Sequence, residues 1–253
     1  MKLLFWRKKK HPLQPDLIGR PVEIIPLHRR TYNQDGLISI HNTSFAREPD
    51  FAAAYDAAVK TNSWNNSHVQ WRCHVLCWAA SQAAFLPGDY VECGTNRGGT
   101  AMAVLQYATK ALENRSFWLY DTFRGLDDSV SSQEEMARHV GHFTECYEQV
   151  VEQFRPWSNV KVVQGTVPSV LHTDGPQKVA FLHIDLNAAA PERAAIEFFW
   201  PRLVPGAMIV FDDYAWVAHA AQKEAIDEFS ALQGVKVLTL PTGQGLLIKP
   251  ACP

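Results

Sequence analysis

At 253 residues, with 47% apolar and 20% charged side chains, the chain has the balance of an ordinary globular protein, which excludes disorder as its general description. A formal net charge of -2 offers no basic surface for nucleic acid or for an anionic membrane.

The amino terminus opens on Leu3-Leu4-Phe5-Trp6 followed by Arg7-Lys8-Lys9-Lys10. That apolar run is too short for a signal-peptide core or a membrane span, and the charges stand on its wrong side, so a frayed tail without stable membrane association is expected. Cys73, Cys77, Cys93, Cys146 and Cys252 make an odd set with no secretory signal. They are read as reduced thiols and the location as cytoplasmic. Pro12, Pro15, Pro21, Pro26 and Pro49 punctuate a stretch of little apolar periodicity. Residues 1–50 are therefore expected to be a tail and an extended arm. Oligomeric state stays open, with a homodimer through this arm as the one assembly the sequence suggests.

The second unit, residues 51–253, begins with two helices over 51–86. One is the alanine-rich run Phe51 to Thr61. The other, Val69 to Phe85, places Val69, Cys73, Leu76, Cys77 and Ala80 on one face and ends at Pro87-Gly88. From residue 89 short β-rich runs alternate with helical windows, the pattern of a parallel sheet with crossover helices. Seven strands are expected: Tyr90 to Cys93, Phe117 to Tyr120, Val160 to Val163, Val179 to Ile184, Met208 to Phe211, Lys236 to Leu240 and Gly245 to Ile248. Helices fit at 98–112, 132–154, 191–203 and 217–233, with Pro205-Gly206 as a turn before the fifth strand. Only Pro241-Thr242-Gly243-Gln244 joins the last two strands, too short for a crossover. The reading is an α/β, doubly wound, seven-stranded and mostly parallel sheet with an antiparallel last strand.

In such sheets ligands bind beyond the carboxyl ends of the strands. The first candidate is Glu92-Cys93-Gly94-Thr95-Asn96-Arg97-Gly98-Gly99, whose glycines permit a tight turn and close approach to the free N–H groups of the next helix. Asp121 ends the second strand, 22 residues beyond Gly99, where a carboxylate accepts from both ribose hydroxyls of a nucleoside cofactor. Gln164-Gly165-Thr166 follows the third strand, either as an adenine-reading turn at Gly165 or as a plain strand end.

Val91 to Gly99, Tyr120-Asp121-Thr122-Phe123-Arg124-Gly125-Leu126, and Arg202-Leu203-Val204-Pro205-Gly206 through Asp212-Asp213-Tyr214 together resemble the class I methyltransferases of the macrocin O-methyltransferase type. The resemblance runs from about residue 35 to the end. It implies S-adenosyl-L-methionine as cofactor, held by Glu92, Gly94, Thr95, Asn96, Gly98 and Asp121, and a hydroxyl of a small molecule or sugar as methyl acceptor.

His183-Ile184-Asp185 closes the fourth strand and Asp212-Asp213 the fifth. Adjacent aspartates repel unless a cation or donor groups offset them, so a divalent metal is inferred. The expected ligands are Asp185, Asp212, Asp213 and His183, with magnesium or manganese as an optional second cofactor. Relatives commonly carry Asp-x-Asp after strand four, and His183 stands at the first of those positions. Asp185 and His183 are the candidate catalytic residues, as base or additional ligand for an acceptor hydroxyl.

His139, His142 and Cys146 fall at helical spacing within 132–154, either a solvated face or a substrate-facing lid. Trp64, Trp71 and Trp78 are read as packing residues, with Trp64 as a candidate wall of the acceptor pocket. Two other functions remain: an NAD(P)-dependent oxidoreductase, disfavoured by the Gly94-x3-Gly98-Gly99 spacing, and a non-catalytic methyltransferase-like binding module.

Overall fold

The computed structural model describes residues 25–172 and 175–251. The tail at Arg7 to Lys10, the first part of the arm and Cys252 lie outside them. Within the arm, Asp35-Gly36 turns the chain between β1 (Tyr32–Gln34) and β2 (Leu37–Ser39), an antiparallel hairpin. Both turn residues hold positive φ, 51° and 72°, as a two-residue hairpin loop requires and Asp-Gly readily supplies. This stretch is therefore folded where extended chain was expected.

Two helices follow, α1 (Pro49–Val59) and α2 (Gln70–Ala83). Pro49 fits the first helical position because no partner is needed there for its missing N–H. Cys73, Leu76, Cys77 and Ala80 are fully buried on the face that the spacing predicts. Cys73, Cys77, Cys93 and Cys146 are all free and buried.

The main sheet is built from β3 (Asp89–Cys93), β4 (Phe117–Asp121), β5 (Val160–Gln164), β6 (Val179–Ile184), β7 (Leu203–Phe211), β8 (Leu238–Thr239) and β9 (Gly245–Ile248), in the order β5-β4-β3-β6-β7-β9-β8. The β5-β4-β3-β6-β7 pairings are parallel, whereas β9 runs antiparallel to both β7 and β8. Alternate side chains of the central strands feed two cores. Tyr90 and Phe181 pack with α1, α2 and α3 (Gly99–Tyr107) on one face, while Val91 and Leu182 pack with α7 (Ala189–Phe199) and α8 (Ala220–Leu232) on the other. With both faces covered, all six residues of β6 are buried. The strand order reverses between β3 and β6, and the crevice of a doubly wound sheet lies there.

Three expectations need correction. The helix expected over 98–112 breaks at Ala108 into α3 and α4 (Thr109–Leu112). The helix expected over 132–154 is two short ones, α5 (Gln133–Arg138) and α6 (Tyr147–Phe154). Between them the chain is pinned over the glycine-rich turn, for the Cys146 N–H donates to the Phe123 carbonyl and the Cys146 thiol faces the Asn96 carbonyl at 3.6 Å. His139, His142 and Cys146 therefore share no helix face. Pro205-Gly206 lies inside β7 as an irregular stretch: Val179 pairs Leu203 while Phe181 already pairs Met208. Among the described residues no helix is long and apolar enough to cross a membrane.

Candidate active site

The glycine-rich turn leaves β3 at Cys93 and enters α3 at Gly99. Its geometry is set by main-chain contacts on both sides: the Gly94 N–H donates to the Tyr120 carbonyl at 2.8 Å, and the Asp185 N–H donates to the Cys93 carbonyl at 2.8 Å. Gly94 has φ +92°, and a Cβ built on it would stand 1.7 Å from the Asp185 carbonyl oxygen. This glycine is required by the protein's own packing before any ligand is considered.

Asp121, at the end of β4, accepts from the Asn96 N–H at 2.7 Å and from the Phe123 N–H at 2.5 Å. The carboxylate thereby fastens the turn after β3 to the turn after β4. Gly94, Thr95, Asn96, Asp121 and Gly165 line one cleft, with Asp185 on its wall, enclosing about 860 Å³ of empty space out to its mouth. Thr95 Oγ1 is buried there with no hydrogen-bond partner among the described residues, an orphan that suits a polar ligand. Trp64, stacked on Tyr55 at 5.9 Å, also walls the cleft and abuts Gly99.

Two residues expected at the cofactor stand elsewhere. Gly98 begins α3 against Phe154 and does not line the cleft. Glu92 is inside β3, fully buried, with Oε2 2.9 Å from His183 Nδ1 across the β3–β6 pairing. The two are register partners one residue before the ends of β3 and β6, and both side chains are buried on the sheet instead of lining the cleft.

His183 is likewise inside β6 and fully buried, its Nε2 3.5 Å from Asp212 Oδ1. Burial alone would lower its pKa, but the neighbouring Asp212 and Glu92 carboxyls outweigh that and push it up to about 10. The two carboxyls thus favour the protonated ring, which has no lone pair to offer, while a neutral ring would present the buried Nε2 to the cluster it forms with Asp185 and Asp212.

Asp212 has two donors and a close ring nitrogen. Arg72 on α2 reaches its Oδ2 through Nη1 at 2.5 Å, Gln244 donates to Oδ1 at 2.8 Å, and His183 Nε2 stands 3.5 Å from Oδ1. Against burial, Arg72 and His183 hold this carboxyl well below the usual range. Asp213 turns away to His219, whose Nδ1 lies 3.4 Å from Oδ2; burial and Asp212 raise its pKa to about 6. Asp185 is half-buried and accepts from Asn187 at 3.1 Å. Removal from water, with Asp212 and Asp213 nearby, pushes its proton affinity well above the ordinary carboxylate range.

Oxygen or nitrogen atoms of His183, Asp185 and Asp212 all lie within 4.8 Å of one another, and Asp213 is not in that group. Asp185 and Asp212 are the hard donors a divalent ion prefers. The fit is incomplete as arranged, because Asp212 already has a guanidinium on one oxygen and an amide on the other. Arg72 is the functional residue that sequence reasoning missed. The Asp-Gly hairpin signal was its one local trace, since the partner Asp35 sits in that turn and binds Arg72 Nε at 2.7 Å and Nη2 at 2.9 Å.

A sequence model of the macrocin O-methyltransferase family matches residues 75–239. The chain belongs to this family. Among curated macrocin-type relatives, the 8-demethyl-8-(2,3-dimethoxy-alpha-L-rhamnosyl)-tetracenomycin-C 4'-O-methyltransferase of Streptomyces olivaceus is 26% identical over 163 residues, 59% of this chain and 60% of the relative. The demethyldecarbamoylnovobiocin O-methyltransferase of Streptomyces niveus is 26% identical over 158 residues, 58% of this chain and 59% of the relative. The chain thus spans about 60% of the length of the curated relatives it matches. In fold it is similar to the O-methyltransferase NovP, at a TM-score of 0.64 and 20% identity, covering 74% of this chain and 84% of that one. The macrocin-type match confirms the family expected from the three motifs, and the sheet order agrees with the fold expected from the strand count.

Beside the rim, Glu192 on α7 is a buried carboxyl that accepts from Gln222 at 2.6 Å and from the Leu186 N–H at 3.3 Å. Burial outweighs these donors and pushes its pKa up to about 8. Unfolded, the same group titrates near ~4.3. Between those values the folded chain holds the extra proton, so this residue makes stability fall as pH rises through that window. Glu192→Gln is expected to flatten the decline in melting temperature between pH 5 and pH 8.5. Equal slopes for variant and wild type would refute the assignment.

Proposed function

We propose that the chain is an S-adenosyl-L-methionine-dependent O-methyltransferase acting on a hydroxyl of a small molecule, with a sugar hydroxyl as the first class to test. The observation that carries the reading is one cleft lined by Asn96, Asp121 and Gly165, from the ends of three adjacent strands, with Asp185 on the same wall. Such a cleft at the reversal of strand order fits a nucleoside cofactor. One named relative is an O-methyltransferase of a rhamnosyl-tetracenomycin and another of demethyldecarbamoylnovobiocin, which supports a small-molecule acceptor, in the first case one that carries a sugar. The four buried free thiols support a reducing compartment such as the cytoplasm.

S-adenosyl-L-methionine supplies an electrophilic methyl group when bound. The chain's own residues then have three tasks. Asp121 orients the nucleoside through the carboxylate face left by its two backbone bonds. The N–H groups at the start of α3 and the Thr95 hydroxyl meet the polar end of the ligand. Asp185, on the wall of the cleft, accepts the acceptor's proton at a carboxylate oxygen in its ionised form. Asp185 and Asp212 are the residues that would hold a divalent ion, whose contribution would be to lower the pKa of the acceptor hydroxyl.

Labelled methyl transfer from S-adenosyl-L-methionine to a panel of free sugars and glycosylated aromatics tests the reading. Asp185→Asn is expected to lower kcat by at least ~100-fold, within the span that general-base catalysis contributes, with little change in S-adenosylhomocysteine affinity. Full turnover in that variant would remove Asp185 as base. Binding of NAD in place of S-adenosylhomocysteine would instead favour the oxidoreductase.

A further inference from the structure

Asp35, at the tip of the N-terminal hairpin, and Arg72, on α2, both precede the stretch matched by the family model, yet Arg72, gripped by Asp35, reaches the strand-end Asp212. Arg72 spreads its guanidinium between two carboxylates. Nε and Nη2 grip Asp35 as a fork at 2.7 and 2.9 Å, and Nη1 reaches Asp212 at 2.5 Å. The contact is enclosed. Asp212 is 3% exposed and the Asp35 side chain 11%, and the guanidinium carbon stands 5.7 Å from the centre of the Trp216 ring. That indole also abuts the hairpin, for a Cβ on Gly36 would lie 3.0 Å from its edge.

We propose that Arg72 is the chain's own counter-cation for the strand-end aspartates, occupying the Asp212 limb of the rim against a divalent ion, and that the hairpin holds it there through Asp35. The inference rests on reading Asp185 and Asp212 as the rim that would hold a metal. Its physical basis is competition. A guanidinium 2.5 Å from Asp212 Oδ2 already neutralises that carboxylate, and a second cation brought to the same group is repelled by the first. A planar fork between two carboxylates is also the geometry in which arginine is hardest to displace. A tethered cation differs from a metal in being always present and in depending on the hairpin for its position.

The test uses the full chain and manganese ion alone as probe, with binding followed by electron paramagnetic resonance and by calorimetry. Arg72→Gln is expected to bind manganese at least tenfold more tightly than wild type, and Arg72→Lys, which keeps the charge, to stay within threefold. The paired variant Asp35→Asn, Arg72→Gln leaves no ionised Asp35 without its guanidinium while Asp212 keeps Gln244, so it is the variant to use if the single one does not fold. It also removes one charge of each sign, so a tenfold tightening there reports release of Asp212 rather than a change in local field. Unchanged or weaker manganese binding in the paired variant overturns the proposal, as does an absence of binding in both it and wild type. S-adenosylhomocysteine binding is measured on the same samples. Its absence from wild type would defeat the methyltransferase reading and leave the manganese comparison standing.

Discussion

Asp121→Ala is expected to weaken S-adenosylhomocysteine binding by more than ~100-fold. The side chain serves two partners at once. Toward the protein it accepts the Asn96 and Phe123 N–H groups and so holds together the turns after β3 and β4. It also lines the cleft, where under the proposed function it would accept from the ribose hydroxyls. Truncation strands two N–H groups in a half-buried turn at about 1–3 kcal/mol each and removes a charge-assisted contact to ligand. Even one such loss approaches the ~2.8 kcal/mol that corresponds to a hundredfold in Kd. Asp121→Asn keeps one acceptor oxygen but aims an amide NH2 at one of the two N–H donors, so it should lie between alanine and wild type. Calorimetric titration checks both. A threefold or smaller change for alanine would show that the carboxylate is only a loop clasp.

The largest effect on stability is expected at Gly94. Gly94→Ala sets a methyl carbon 1.7 Å from the Asp185 carbonyl oxygen and 2.4 Å from its carbon, at a φ of +92° that L side chains rarely adopt. Neither backbone is free to yield, because Cys93 and Asp185 are hydrogen-bonded to each other and Gly94 is tied to Tyr120. The cost should exceed about 4 kcal/mol, the exceptional end of single substitutions. The expected outcome is an insoluble protein or one without a cooperative melt. Gly141→Ala is the control. Gly141 also has positive φ, +74°, but a Cβ there meets nothing within 4 Å, so only the backbone cost of about 1 kcal/mol applies. If Gly94→Ala melts within a few degrees of Gly141→Ala, the close approach of the two strand ends is wrong.

The sheet was legible because each central strand is a short apolar run between turn residues, and because four residues cannot carry a crossover before β9. The cofactor turn was legible for the same local reason. What failed was whatever depends on which strand lies beside which. His183 and Glu92 are 91 residues apart and meet only through the β3–β6 register, so the histidine's pairing with a buried carboxyl could not be read from its neighbours in sequence. Arg72 drew no reading at all, since its partners lie 37 residues before and 140 residues after it. The expected metal rested on repulsion between Asp212 and Asp213. That repulsion is relieved within the chain: Arg72 and Gln244 serve one aspartate and His219 faces the other. The long helix over 132–154 failed because Phe123 and Asn96 claim Cys146 for a contact outside any helical period.

The contact between Gly94 and Asp185 also bears on how such an enzyme diversifies. Main chain against main chain fixes the separation of the glycine-rich turn from Asp185, so under the proposed mechanism that spacing acts as a gauge which exchanges on the surrounding walls leave in place. Val130 and Phe143 line the same cleft from segments outside this contact. New acceptors are therefore reached by rewriting those walls while the reaction distance is inherited unchanged, and libraries aimed at substrate range belong there rather than at the glycine-rich turn.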